Sequence, residues 1–155
     1  MNEKRSCLAM SMTQKDRQLS DLTVNDLMIS SEKVAHVQLN NPLEHALLVL
    51  VGSGYFAVPV LDESLKLAGS ISKTVILDQI LGIDRFEVEK LSELKVHEVI
   101  EKKLISIDQD ASFIDGLKMV VDNPFVCVVD GEGYFVGILT RRAILKEVKR
   151  DYYQQ

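Results

Sequence analysis

The chain states one pattern twice, and a tandem repeat constrains the fold more than any other feature of a sequence this short. Residues 34–60 read VAHVQLNNPLEHALLVLVGSGYFAVPV and residues 104–129 read LISIDQDASFIDGLKMVVDNPFVCVV. The apolar set Leu43, Ala46, Leu47, Leu50 and Val51 recurs seventy positions later as Phe113, Gly116, Leu117, Val120 and Val121. Each copy then runs into a strand and a helix, GSISKTVILDQIL after the first and GILTRRAILKEVK after the second. A strand–helix–strand–strand–helix unit of this size cannot bury both its faces alone, so the copies are expected to pack together around paired clefts.

Periodicity and punctuation place the elements. Leu19–Met28 (LSDLTVNDLM) has the spacing of a short amphipathic helix, capped from Ser20 or Thr23, and LSELKVHEVI at 91–100 is its counterpart. Short β-branched strands follow near 34–38 and 104–107. The helix over 42–52 carries apolar residues at i, i+3, i+4, i+7 and i+8, with Asn41 as cap, Pro42 at the first helical position and Gly52-Ser-Gly54 as stop. Its repeat has Asp110 or Ser112 to cap and Asp122-Asn-Pro124 to stop. Strands are predicted at 55–61 with 66–72 and at 125–129 with 134–140, the second hairpin two residues shorter, and helices at 73–81 and 141–152. The resulting division is a flexible extension at 1–19, a first repeat at 20–82, a helical connector at 83–94 and a second repeat at 95–152.

Composition excludes several classes of function. Eighteen basic against twenty-three acidic residues give a net charge of −5, which argues against a general nucleic-acid or membrane surface. No apolar run approaches the ~20 residues of a membrane span. Cys7 and Cys127 stand far apart in unlike settings, so no disulfide framework is expected and a reducing cytoplasm is the default location. Cys127, inside FVCVV, reads as a buried small hydrophobe. His36, His45 and His97 lack partners at metal-ligand spacing, so no metal site is expected. Phosphate loops, dinucleotide-binding glycine signatures and nucleophile–base arrangements are also missing, and nothing points to an enzyme or a cofactor.

The strand–hairpin–helix segments FAVPVLDESLKLAGSIS and FVCVVDGEGYFVGILT resemble the CBS domain, over about residues 22–150. The resemblance implies an α+β fold in which two β-α-β-β-α repeats pack as the pseudo-twofold Bateman module. HVQLNNPLEHALLVL, GYFAVPVLD and GILTRRAILKE further resemble the small stand-alone CBS proteins of Gram-positive bacteria that bind cyclic di-AMP. That family implies a homodimer and a regulated partner enzyme engaged by the ligand-free form, the (p)ppGpp synthetase/hydrolase of the stringent response being the candidate.

Nucleotide-binding CBS repeats open their last helix with [Ser/Thr]-x-x-Asp, whose carboxylate grips the vicinal ribose diol. Here the copies read Ser72-Lys-Thr-Val75 and Thr140-Arg-Arg-Ala143, so the hydroxyl is kept twice and the carboxylate lost twice. A 3′,5′-cyclic dinucleotide has only its 2′-OH free, so this loss disfavours AMP, ADP or ATP relative to cyclic di-AMP. Degenerate, empty clefts in a ligand-independent adaptor fit the same observation. Arg141 and Arg142 oppose the macrodipole at a helix start, which an anion bound there would offset; pairing with Glu132 or a second subunit is the alternative. By the resemblance, the cleft of Thr140, Arg141 and Arg142 is completed by Lys33, Val34 and Ala35 and by Tyr55, Phe56 and Ala57. Lys33 would face phosphate, the backbone near Ala35 would read the adenine edge, and Tyr55 or Phe56 would stack on the base. The first copy offers only Lys73 at its helix start, so one competent cleft is expected.

Overall fold

The computed structural model describes residues 18–101 and 105–154. The extension expected at 1–19, Cys7 included, lies outside them except for its last two residues, as does the first position of the strand expected at 104–107.

Each repeat carries one parallel pair and one hairpin. In the first, β2 (Val37–Gln38) pairs parallel with β3 (Ala57–Leu61), which pairs antiparallel with β4 (Leu67–Ser72). In the second, β5 (Ser106–Asp108), β6 (Phe125–Val129) and β7 (Phe135–Thr140) do the same. A seventh strand, β1 (Ile29–Ser30), leaves its own repeat and pairs antiparallel with β7. Reciprocally, Glu101 makes a bridge to Ser70 of β4.

The repeats therefore exchange their leading segments. Leu22 and Val24 are buried in the core of the second repeat, among Phe113, Val120, Leu139 and Ile144. Val96 is buried in the core of the first, among Leu43, Leu50, Val58 and Ile76. Backbone hydrogen bonds fix each exchange: Val24 N–H donates to Ala111 O, and Val96 N–H to Asn41 O. A linear division at 82–95 thus describes the repeat in sequence but not the two packed halves. A third cluster, Val34, Leu61, Cys127, Phe135 and Ile138, joins them.

The amphipathic helix expected over 19–28 is broken. A single 3-10 turn (Leu19–Asp21) precedes α1 (Val24–Leu27), because the Asp26 carboxylate accepts from the Thr23 N–H at 3.0 Å and restarts the helix there. Its counterpart breaks at the equivalent point, into α4 (Lys90–Glu93) and α5 (Val96–Val99), where Lys95 N–H donates to the Glu98 carboxylate. Of the connector expected to be helical, only α4 is. The remainder is a turn closed by Gly82 N–H to Arg85 O and Glu87 N–H to Ile80 O, with Arg85 paired to Glu89 at 2.6 Å.

The long helices follow the apolar spacing. They are α2 (Leu43–Ser53), α3 (Lys73–Ile80), α6 (Phe113–Asp122) and α7 (Arg141–Gln154). Pro42 is the N-cap residue of α2 rather than its first helical one, and Asn41 instead closes a turn by accepting from Gln38 N–H. Ser112, not Asp110, caps α6 through Asp115 N–H.

The hairpin turns correct a further expectation. Asp62 accepts from the N–H groups of Ser64 and Lys66, and Asp130 from those of Glu132 and Tyr134, so the two turns have the same length. The two residues the second copy lacks fall instead between helix and strand. There the first copy reads Gly52-Ser-Gly-Tyr-Phe56 and the second Asp122-Asn-Pro124. That deletion shapes both clefts.

Candidate functional site

The cleft that the sequence singles out is a cavity of about 370 Å³ at the seam of the repeats, within the usual ~300–1,000 Å³ of small-molecule sites. Six of the nine expected residues line it: Val34, Ala35, Tyr55, Phe56, Ala57 and Thr140. Gly54, Pro59, Pro124, Phe125 and Ile138 join them. The sequence reading missed these five, although the repeat held a signal for two. Pro124-Phe125 is the second copy's counterpart of Phe56-Ala57, and a pseudo-twofold axis brings such pairs together at the seam.

Local structure explains the aromatic rim. Gly54 takes a left-handed conformation (φ 74°) and closes α2 by donating to Leu50 O. Two further residues then precede β3, and they set Tyr55 and the well-exposed Phe56 at the cavity mouth. Ala35, half-buried, leaves open space where a longer side chain would stand. The lining is predominantly apolar, as small-molecule sites commonly are.

The three cations are placed differently. Lys33 ends a 3-10 turn (Ser31–Lys33) and is exposed, and it does not line the cavity. Arg142 sits with Arg141, Leu145, Lys146 and Lys149 around a separate shallow depression on α7. Arg141 is engaged elsewhere: its Nε donates to Val120 O at 2.7 Å and its Nη2 to Val121 O at 3.2 Å. Those carbonyls are orphans at the end of α6, whose cap Asn123 has extended geometry (φ −130°, ψ 121°) and no left-handed glycine. Asn123 Nδ2 satisfies a third, Met119 O, at 3.0 Å. The arginine at the positive end of α7 thus lies at the negative end of α6, so the unfavourable dipole inferred from sequence is offset within the protein.

The two retained hydroxyls also have a structural task. Ser72 Oγ accepts from Val75 N–H at 3.2 Å and Thr140 Oγ1 from Ala143 N–H at 3.1 Å, capping α3 and α7.

A second cavity, of about 210 Å³, occupies the related position on the other side of the seam, against Ser70, Ser72, Glu101, Ile105, Asn123 and Cys127. Phe56, Ala57, Pro124 and Phe125 line both cavities and form their common wall. Burial pushes the Cys127 thiol up to about 12 from an ordinary 9.0. The three histidines are exposed, and among the described residues no group of three His, Cys, Asp or Glu is placed to hold a metal ion.

Two sheets exchanging leading segments across a pseudo-twofold seam, with paired clefts along it, define a tandem CBS module, and the CBS domain model matches residues 24–82 and 96–150. The chain belongs to the CBS-domain family, with the α+β fold expected. It is 46% identical over 133 residues to cyclic di-AMP receptor B of Bacillus subtilis (strain 168), covering 86% of this chain and 90% of the receptor. A CBS domain-containing protein of Bacillus anthracis shares 55% identity at a TM-score of 0.81, over 85% of this chain and 96% of that one. The CbpB protein of Listeria monocytogenes, solved in complex with c-di-AMP, shares 50% identity at a TM-score of 0.78, over 85% and 98% of the two chains. No helix among the described residues is long and apolar enough to cross a membrane.

Proposed function

We propose that this protein is a cytoplasmic, non-enzymatic receptor that binds cyclic di-AMP in the larger cleft and controls a partner according to occupancy. The observation that carries the reading is the similarity, over nearly the whole of both chains, to a named cyclic di-AMP receptor and to a CbpB protein solved with that ligand. The apolar, aromatic-rimmed cavity with space at Ala35 supports it, as does the absence of the diol-binding carboxylate at Val75 and Ala143. One adenine enters between Ala35 and the aromatics, and a phosphate lies at the start of α7. Drawing Arg141 to that phosphate would release the Val120 and Val121 carbonyls, which gives occupancy a route to the exposed Val121 on α6. Differential effects of this kind are what a ligand needs to shift an equilibrium.

The receptor acts as a homodimer, through the apolar side chains that its long helices leave exposed, and its ligand-free form engages the target. The (p)ppGpp synthetase/hydrolase of the stringent response is the candidate target, by family resemblance.

Thermal unfolding with cyclic di-AMP, AMP, ADP and ATP at matched salt tests the ligand. A ligand that binds only the folded form adds about 2.7 kcal/mol at 100-fold its Kd, or about 5–10 °C for a domain of this size. A shift with cyclic di-AMP is expected. Micromolar AMP binding with no response to cyclic di-AMP would overturn the reading in favour of an adenylate sensor. No shift with any nucleotide would favour a ligand-independent adaptor.

A further inference from the structure

Among the equivalent positions at which the two clefts differ, the strand register identifies one where a polar pair replaces an apolar one. On the side of the larger cavity, the leading segment of the first repeat sets Ile29 opposite Ile138 of β7, and Ile138 lines that cavity. On the side of the smaller, the leading segment of the second repeat sets Glu101 opposite Ser70 of β4, and both line the cavity. Glycines fix the correspondence. A Cβ on Gly69 would meet Glu101 O at 2.8 Å, and one on Gly137 would meet Ile29 O, so in both copies the leading backbone lies directly over the residue before the pair. Glu101 is therefore the structural counterpart of Ile29, and Ser70 that of Ile138.

The smaller cleft shares several features of the larger, although Ile105 stands where Ala35 does and Cys127 where Pro59 does. Ser72 caps α3 as Thr140 caps α7, Lys73 opens α3 as Arg141 opens α7, and the aromatic wall of Phe56 and Phe125 is common to both. The smaller cleft also carries the Ser70 hydroxyl and the Glu101 carboxylate where the larger has Ile138 and, opposite it in register, Ile29. A carboxylate beside a phosphate inside a cleft repels it more strongly than on an open surface, because less water screens the pair. Covering a solvated Ser–Glu pair with the face of an adenine also leaves polar groups without partners, a cost that Ile138 does not impose.

We propose that the Ser70–Glu101 pair is the selectivity element that closes the smaller cleft to anionic adenine nucleotides and confines cyclic di-AMP to one site per chain. The proposal rests on the nucleotide-binding reading above.

Replacing the pair by its counterparts, Ser70→Ile with Glu101→Ile, tests it by a gain of function at two positions that are not buried. Wild type and variant are saturated with cyclic di-AMP and then titrated with AMP by calorimetry, AMP being half of the dinucleotide and so the smaller probe of the remaining cleft. The variant is expected to take one more equivalent of AMP per chain than wild type. Glu101→Gln alone removes the charge without changing the shape, and it is expected to gain the same equivalent with roughly tenfold weaker affinity. The proposal is overturned if saturated wild type already takes up AMP, or if neither variant takes more than wild type. Should wild type bind no cyclic di-AMP, the ligand reading fails, while the difference in AMP uptake between variant and wild type still decides the role of the pair.

Discussion

Two single residues make the cleft testable without disturbing the fold. Ala35 is half-buried on the wall of the larger cavity, where its small side chain leaves room. Ala35→Arg would fill that room with a flexible cation whose head can reach solvent. We expect at least a hundredfold loss of cyclic di-AMP affinity by calorimetry, with the melting temperature within a few degrees of wild type; unchanged affinity would remove Ala35 from the site. Cys127, 4% exposed on the wall of the smaller cavity, gives a pH signature. Its thiol is raised by desolvation from 9.0 to about 12, so above pH 9 the unfolded chain releases a proton that the folded chain retains. The unfolded state then binds fewer protons, and stability must fall with rising pH across that window, at up to about 1.4 kcal/mol per pH unit. Cys127→Ala should flatten this dependence in urea unfolding measured between pH 8.5 and 10.5. A slope identical in the two proteins would show that Cys127 does not cause it.

At the scale of elements, the deletion between α6 and β6 explains why one arginine has two claims on it. The first copy spends two extra residues on a left-handed Gly54 cap and on Tyr55. Without them, α6 ends on Asn123 and recruits Arg141 from a helix twenty residues further along the chain. Arg141→Ala should cost about 1–2 kcal/mol by leaving those carbonyls unpaired and should speed amide exchange over residues 119–122. Arg142→Ala, on an exposed side chain, should stay within about 0.5 kcal/mol of wild type. Equal effects of the two substitutions would contradict the cap. No sequence pattern could reveal this contact, because the turn geometry at Asn123 decides it. The helices, hairpins and repeat, by contrast, were legible from Leu43, Ala46 and Leu50 and from Asp62 and Asp130, whose roles are set by local spacing. The break at Thr23 was also written locally, as a Thr-x-x-Asp capping pattern, but the apolar rhythm from Leu19 to Met28 masked it. Six of the cavity-lining residues were named through the family resemblance, whereas Pro59 and Ile138 enter through the strand register within each hairpin.

The whole molecule leaves apolar side chains exposed at matching positions of its two halves. Val51 on α2 and Val121 on α6 are 64% and 66% exposed, and Leu77 on α3 and Leu145 on α7 are 45% and 55% exposed. Exposed apolar residues scattered singly are ordinary, but here the same two positions are left uncovered in both repeats. A pseudo-twofold module that presents equivalent patches on both halves suits an isologous contact with a second copy, in which each patch meets its counterpart. Light scattering of the wild-type protein should then give a mass near twice the 17.4 kDa of one chain. Val121→Glu combined with Leu145→Glu should shift it to the monomer. Both residues are more than half exposed and neither belongs to a core cluster, so the helical circular dichroism signal should be retained and melting lowered mainly by the lost association. Because the Val121 carbonyl is also held by Arg141, the proposed dimer contact and the candidate cleft would share one helix end. If occupancy reaches the surface by that route, cyclic di-AMP should change the dimer dissociation constant of wild type by several-fold and leave that of Arg141→Ala unchanged. A wild-type mass of one chain at micromolar concentration, or a dimer indifferent to the double substitution, would place the readout on another face.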